Sequence, residues 1–322
     1  MSTGPLQLAL VGGLDVLLCL AYIALNAGLN FANRWALGVH DFSFPMSLTS
    51  AHMLLNPVFL APVMLLSKAY RNEHGSVLHS SWKALLVIAA FNGIQIALNN
   101  SSLVHIELST NQVVRATMPV IVAIFEALRG SPPPASHLPV LLAIALGVIL
   151  CVYQTSAKAN EWWGILLVVS SVSLQAAQMS FSGSLLSVKL DSFQMTFYTS
   201  PMAFLAIAAP TAMLEGEGFR AYLLNKPMVA VYVMVGTCLL AVVYNIVMFQ
   251  TIRRLGPVGS AVLGNVKIVV LLVMSRLLMG EMRQWAGRHL MGCLLTFGGA
   301  AAYSRLKLLP KADGKTGKKK EK

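Results

Sequence analysis

Long apolar runs separated by short polar connections dominate the chain. An apolar helix needs about 20 residues to cross roughly 30 Å of hydrocarbon, and ten windows of this kind can be drawn along the sequence. The windows lie at roughly 8–32, 43–67, 83–104, 108–128, 137–154, 162–187, 192–214, 228–251, 257–279 and 286–304. The pattern therefore predicts an all-α integral membrane protein with ten transmembrane helices, whose function must lie among those helices.

Composition agrees with this prediction and excludes several classes of function. Only 11% of the 322 residues are charged and 56% are hydrophobic, whereas a soluble chain has about 25% charged residues. The four cysteines lie singly in four windows, so we expect no metal, cofactor or disulfide. No nucleophile stands at a workable spacing from a base, so we expect no enzyme. The expected surroundings are a lipid bilayer, without nucleic acid.

Charge asymmetry predicts the orientation. Lys and Arg are more numerous in the connections on the N-terminal side than in those on the other side, which places both termini in the cytosol by the positive-inside rule. The first window has neither a basic leader nor a small-residue cleavage site, so we read it as a retained span and not as a signal or transit peptide.

The basic C-terminal tail decides that orientation and permits two interpretations. A lysine run is usually a solvated segment that touches anionic headgroups. The chain also ends with Lys319 and Lys320 followed by Glu321 and Lys322, which resembles the dilysine retrieval signal of endoplasmic reticulum membrane proteins. On the second interpretation, coat proteins recognise the tail.

An internal repeat becomes visible when the chain is aligned with itself at a shift of 150 residues. Gly130 then meets Gly280 and Tyr153 meets Tyr303, within segments of matching hydropathy. We interpret this as a five-helix duplication, with repeats at 1–156 and 157–306 and a cytosolic tail at 307–322. Because five is odd, the second repeat is inverted, as in many secondary transporters that bind substrate near the bilayer midplane.

Lys267 is the most informative residue of the second repeat. It lies near the middle of its window, where a charged side chain costs on the order of 3 kcal/mol and normally faces a wet cavity. Gly264 shares a helical face with Lys267, and Asn265 lies on the same broad side. In the repeat alignment Asn265 falls over Arg115, so the buried cations of the two repeats occupy nearly equivalent positions.

Arg115 and Lys267 together predict an anion site. Asn111 lies one helical turn before Arg115. Asp15 and Glu126 are the carboxylates well inside the windows, so the two cations have few partners of opposite charge. A guanidinium and an ammonium together suit a phosphate or diphosphate.

Other polar residues leave alternatives open. Tyr198, Thr199 and Ser200 could hold a base or sugar, or could pack helix against helix, and Tyr244 extends the polar set. The polar residues of the third window, Asn92, Gln95, Asn99 and Asn100, extend it further.

Glu126 and Arg276 coincide in the repeat alignment. They are therefore candidates for an ion pair between the repeats, or for simple interfacial positions near helix ends.

Four segments in chain order resemble a known family. They are similar to the triose-phosphate translocator and nucleotide-sugar transporter branch of the drug/metabolite transporter superfamily, and so resemble solute carrier family 35. The segments are FPMSLTSAHML, STNQVVRATMPVIVAIFEALRG, VKLDSFQMTFYTSPMAF and GSAVLGNVKIVVLLVMSRLLMGE. The resemblance implies ten helices, exchange transport and no catalysis.

The same resemblance helps to choose a substrate class. Plastid phosphate translocators carry a Lys-Arg pair where this chain has Lys267 and Ile268. Nucleotide-sugar carriers resembling the GDP-mannose carrier have Phe-Tyr-Asn-Asn, and here Phe197 and Tyr198 are retained while Thr199 and Ser200 replace the asparagines. Their Gly-Ala-Leu-Asn-Lys motif reads Leu-Gly-Asn-Val-Lys here, ending in Lys267.

These features favour an antiporter of Golgi or endoplasmic reticulum that exchanges a cytosolic nucleotide sugar for a luminal nucleoside monophosphate. One alternative is a carrier of phosphorylated three- to six-carbon metabolites that exchanges them with phosphate. Another is a scaffold of the endoplasmic reticulum that does not transport. The base, the sugar and the oligomeric state, a homodimer included, stay open at this point.

Overall fold

The computed structural model describes residues 5–39, 42, 44–106, 108–152, 161–188, 190–279 and 287–308. Every secondary-structure element within these ranges is helical. The α-helices are α1 (Pro5–Val39), α2 (Pro45–Leu66), α3 (Lys68–His105), α4 (Leu108–Arg115), α5 (Met118–Leu128), α6 (Leu138–Val152), α7 (Glu161–Val188), α8 (Ser192–Asn225), α9 (Pro227–Met279) and α10 (Gly287–Leu308), and a 3-10 turn (Ala135–His137) precedes α6. The prediction of an all-α chain is confirmed for this part of the molecule.

Several of these helices can cross a bilayer. Five segments of the described chain are long and apolar enough: Pro45–Leu66, Lys68–Asn99, Trp162–Ser187, Ser192–Asn225 and Pro227–Val270, with shorter apolar helices at Gly13–Leu29 and Ala135–Leu150. Large apolar side chains such as Leu20, Leu65 and Leu205 are exposed on the outer surface, where they suit lipid tails. The multi-pass arrangement follows, while the count of ten spans and the cytosolic termini stay predictions.

The predicted window 108–128 is interrupted in the structure at Ala116 and Thr117, between α4 and α5. Pro119 has no N–H and cannot donate to the carbonyl four residues earlier. The N–H groups of Val120 and Ile121 both donate to the Thr117 carbonyl, at 3.0 and 3.1 Å. The Ala116 carbonyl thus loses the partner that an unbroken helix would supply.

A second break separates two predicted windows inside α9. Gly256 has φ 73° and ψ 170°, a conformation that only glycine adopts without strain. The chain therefore turns between the windows predicted at 228–251 and 257–279, and a proline, Pro257, starts the second of them.

The predicted repeats interlock. The most extensive helix packing joins α3 with α7, α6 with α10, α2 with α8 and α1 with α9. Each pair combines one helix from 1–156 with one from 157–306, so the centre of the molecule is lined by both sequence halves.

Polar contacts fasten α8 to α2 along its length. The Glu215 carboxylate accepts from the backbone N–H groups of Met46 and Ser47, at 2.9 and 2.7 Å, in the first turn of α2, where such groups lack helical partners. From the middle of α2, Asn56 Nδ2 donates to Ser200 Oγ in the first third of α8, at 3.0 Å. These bonds, of which those to Glu215 are charge-assisted, join α2 to α8 at two places.

Small residues bring α6 and α10 together. A methyl group added to Gly147 would lie 2.5 Å from Thr296 Oγ1 and 2.8 Å from the Gly292 carbonyl oxygen, and one added to Gly299 would lie 2.6 Å from Ile144 Cγ1. Close approach through small residues is a principal source of helix association in membranes.

Gly147→Ala should therefore destabilise the protein. The added methyl meets backbone atoms that cannot move aside, so we expect a loss of about 1–3 kcal/mol and a lower melting temperature of the detergent-purified protein. Gly298→Ala is the matched control, because its methyl would meet no atom within 4 Å. Equal melting temperatures of the two variants would contradict this packing.

Candidate functional site

Lys267 lies in the part of α9 that follows Gly256, and its side chain is half-buried. Its Nζ atom stands 5.9 Å from the centre of the Tyr22 ring, which belongs to α1. A cation over an aromatic face is stabilised without losing its charge. Among the described side chains, no carboxylate pairs with Lys267.

Arg115 is the last residue of α4, next to the break in the helix. Its two terminal nitrogens donate to amide oxygens on two other helices, Nη1 to Asn99 Oδ1 of α3 and Nη2 to Gln175 Oε1 of α7, each at 2.7 Å. Both acceptors are neutral. Arg115 is close enough to Lys267 for their charges to interact, so the site concentrates positive charge.

Asn111 supports Arg115 indirectly. Its Nδ2 donates to Asn99 Oδ1 at 3.1 Å and to Ser102 Oγ at 2.9 Å. Asn111 is 1% exposed. The structure thus places this predicted residue beside the site, where it fixes the amide that Arg115 contacts.

The structure brings Tyr244 close to Arg115, together with two residues that the sequence did not reveal, Tyr22 and Asn26. The rings of Tyr244 and Tyr22 are 5.8 Å apart between centroids, and the Tyr244 hydroxyl is in hydrogen-bonding contact with Tyr22 and Asn26. Both rings are within the electrostatic reach of Arg115. Tyr22 and Asn26 are four residues apart on α1. Two polar residues at this spacing within an apolar window indicate a polar face on the helix, which could have been read from the sequence.

Asn265 joins the two predicted repeats at the break between α4 and α5. Its Nδ2 donates to the Ala116 carbonyl at 2.7 Å, the group left without a helical partner. Asn265 is 1% exposed, so this contact is shielded from water.

Gly264 borders open space. A methyl group added there would meet no described atom within 4 Å, so the helix surface beside Asn265 is not filled by a described side chain at this point.

The predicted hydroxyl face on α8 makes hydrogen bonds within the protein. Thr199 and Ser200 donate to the carbonyls four residues earlier on their own helix, at 2.6 and 2.7 Å, and Tyr198 Oη bonds His74 Nδ1 at 2.8 Å. All three side chains are buried. They hold α8 against α2 and α3, and contact with a ligand stays a prediction.

Glu126 contacts the second predicted repeat through Ser180. It accepts a hydrogen bond from Ser180 on α7, and Arg129 donates to Ser180 at 3.3 Å. The side chain of Arg276 lies outside the described part of the structure, as do Lys319 and Lys320. The Glu126–Arg276 pair and the retrieval signal stay predictions.

The arrangement is suited to holding an anion. Two cations, one from each predicted repeat, converge among tyrosines and amides, beside a glycine that no described side chain covers. An anion placed between them would relieve their mutual repulsion, which is strong in a medium of low dielectric constant. The guanidinium supplies directed donors and the ammonium a mobile point charge.

Comparison with known proteins identifies the family. Residues 14–304 match the model of the Triose-phosphate Transporter family. The chain belongs to this family. The resemblance noted in four sequence segments is confirmed, and the activity of this transporter is membrane transport, not catalysis.

Relatives of this transporter include carriers of two kinds. It is 26% identical over 303 residues to a probable sugar phosphate/phosphate translocator of Arabidopsis thaliana, covering 91% of this chain and 86% of the relative. It is 25% identical over 271 residues to UDP-uronic acid transporter 1 of the same plant, covering 81% and 85%. A solved crystal structure shares the fold, with a TM-score of 0.63, 17% identity and coverage of 91% of this chain and 98% of the other.

Proposed function

We propose that this transporter is an antiporter that exchanges a cytosolic nucleotide sugar for a luminal nucleoside monophosphate across a Golgi or endoplasmic reticulum membrane. The observation that carries the proposal is the approach of Lys267 and Arg115 at a site where the described side chains supply no carboxylate partner. Such a pair favours an anionic ligand. A phosphate-containing ligand satisfies both the arginine and the lysine.

The residue after Lys267 favours a nucleotide sugar over a small phosphorylated metabolite. Ile268 packs with Ala116, Val148 and Cys293 in an apolar cluster, so this position supplies packing where phosphate translocators have a second cation. The neighbouring tyrosines, Tyr22 and Tyr244, offer aromatic surface and hydroxyls for a sugar or base. A relative that carries a UDP-linked sugar acid is consistent with this assignment.

Alternating access follows from the electrostatics of the same site. The empty site holds two cations that repel each other, while the occupied site is neutralised, so ligand binding lowers the free energy of a closed state. Exchange becomes obligatory when the empty transporter changes only slowly between its cytosol-facing and lumen-facing states. Cytosolic termini and recognition of the Lys319–Lys320 signal by coat proteins complete this proposal.

Reconstituted liposomes test the exchange. We expect uptake of one labelled UDP-, GDP- or CMP-sugar to be severalfold faster into liposomes preloaded with the matching nucleoside monophosphate than into liposomes loaded with buffer. Equal uptake into both kinds of liposome would overturn the exchange. Protein-free liposomes with the same contents correct for leakage.

The second candidate is exchange of a sugar phosphate for inorganic phosphate, favoured by the translocator among the relatives. The same liposomes separate the two candidates. Uptake of triose phosphate or phosphoenolpyruvate driven by internal phosphate, with no uptake of any nucleotide sugar, would replace the nucleotide-sugar assignment by this one.

A further inference from the structure

The hydrogen-bond acceptors of Arg115 distinguish this site from an ordinary buried ion pair. Asn99 and Gln175 both present amide oxygens to the guanidinium, at 2.7 Å each. A glutamate has nearly the same shape as Gln175 and could accept the same bond. The chain therefore satisfies the geometry of Arg115 without cancelling its charge.

Gln175 is the more independent of the two acceptors. Asn99 Oδ1 also accepts from Asn111, so a change there disturbs a wider network. Gln175 lies on α7, in the opposite predicted repeat from Arg115, and the hydrogen bond that the structure gives it is the one to Arg115. It holds the guanidinium from across the repeat interface.

The charge of the site depends on this amide. With Gln175 neutral, Arg115 and Lys267 both remain available to an anion. A carboxylate at 175 would form an ion pair with Arg115 and compete directly with the ligand, because opposite charges at such a distance stabilise each other strongly.

We propose that Gln175 is a positioning residue that sets the charge selectivity of the site, orienting Arg115 while leaving its charge free to bind a ligand with two or more negative charges. This inference rests on the proposed function, since it assigns the class of anion that the central site accepts. A carboxylate at position 175 should therefore weaken ligand affinity while it raises the stability of the ligand-free protein.

Two substitutions test it, Gln175→Glu and Gln175→Leu, in the full-length purified transporter. Glu keeps the hydrogen bond and cancels the charge of Arg115, which leaves Lys267 as the uncompensated cation, so we expect a higher melting temperature without ligand and affinities for pyrophosphate and nucleoside monophosphates weaker by at least about tenfold. Leu loses the hydrogen bond and keeps the charge, so we expect a lower melting temperature and a smaller loss of affinity than for Glu.

The matched control is Gln250→Glu. Gln250 Oε1 accepts from Ser192 Oγ at 2.8 Å, so the control adds the same charge to another bonded glutamine, beside the first residue of α8. It should leave anion affinities within about twofold of wild type.

Two results would overturn the inference: wild-type anion affinity in Gln175→Glu, or a greater loss of affinity in Gln175→Leu than in Gln175→Glu. Failure of the proposed function gives a different signature. In that case the wild-type protein binds none of these anions. The inference is then tested on the ligand-free protein, and a melting temperature of Gln175→Glu no higher than that of Gln175→Leu overturns it.

Discussion

Exchange by Lys267→Ala should fall by at least about a hundredfold in preloaded liposomes. The substitution removes a cation that meets its ligand in a partly desolvated site, and breaking such a pair costs about 3–5 kcal/mol, where each 1.4 kcal/mol is tenfold. The initial rate of nucleotide-sugar uptake measures the loss.

The loss should not come from misfolding. In the ligand-free protein Lys267 is repelled by Arg115 and is compensated by one aromatic ring. We therefore expect Lys267→Ala to melt at or above the wild-type temperature while its exchange is lost, a combination that indicates a functional residue and not a structural one.

Two further variants complete this test. Lys267→Arg keeps the charge with a different donor geometry, so exchange should be intermediate. Lys83→Ala is the matched control, because Lys83 is an exposed lysine beside the Trp82 ring, and it should exchange normally. Undiminished exchange by Lys267→Ala would disprove the site. If wild type itself exchanges nothing and removal of the last four residues changes its location, the scaffold alternative gains support.

Lys267 and Arg115 could be identified from sequence because a charge inside an apolar window is costly and therefore rare. Their neutral neighbours could not be identified in the same way. Gln175 lies in a stretch with several serines and glutamines, and such residues often serve only to pack helices. Its role depends on α7 crossing α4, which the order of windows does not specify.

The α8 hydroxyls illustrate a second limit. Thr199 and Ser200 follow the spacing of a ligand-binding face, yet each donates to the carbonyl four residues earlier on α8. Serine and threonine in apolar helices commonly bond their own backbone. The side-chain pattern is the same in both situations, so sequence alone cannot separate them.

The break between α4 and α5 could have been anticipated from Pro119, but its consequence could not. Proline inside an apolar window predicts a local interruption. Which group then satisfies the freed carbonyl depends on a contact between residues 149 apart in sequence, Asn265 and Ala116. The repeat alignment hinted at this contact by placing Asn265 over Arg115.

Asn265→Ala should destabilise the protein and reduce exchange because of that carbonyl. Ala116 and Asn265 are both buried, so removing the amide leaves an acceptor without a partner, at a cost of about 1–3 kcal/mol. Since Arg115 immediately precedes Ala116, movement of the break displaces the guanidinium, and we expect exchange to fall by at least about tenfold. Melting temperature and uptake rate measure the two effects.

A double-mutant cycle with Pro119→Ala tests the physical cause. Alanine restores an N–H at position 119 and permits the Val120 N–H to reach the Ala116 carbonyl, as in a continuous helix. The stability loss caused by Asn265→Ala should then be smaller in the Pro119→Ala background than in wild type, with a coupling of about 0.5–3 kcal/mol. Equal losses in both backgrounds would show that Asn265 stabilises the protein by some means other than this carbonyl. A smaller loss means that the Asn265 amide helps to hold the broken helix bearing Arg115 in register with the helix bearing Lys267, so the geometry of the anion site depends on this contact between the two predicted repeats.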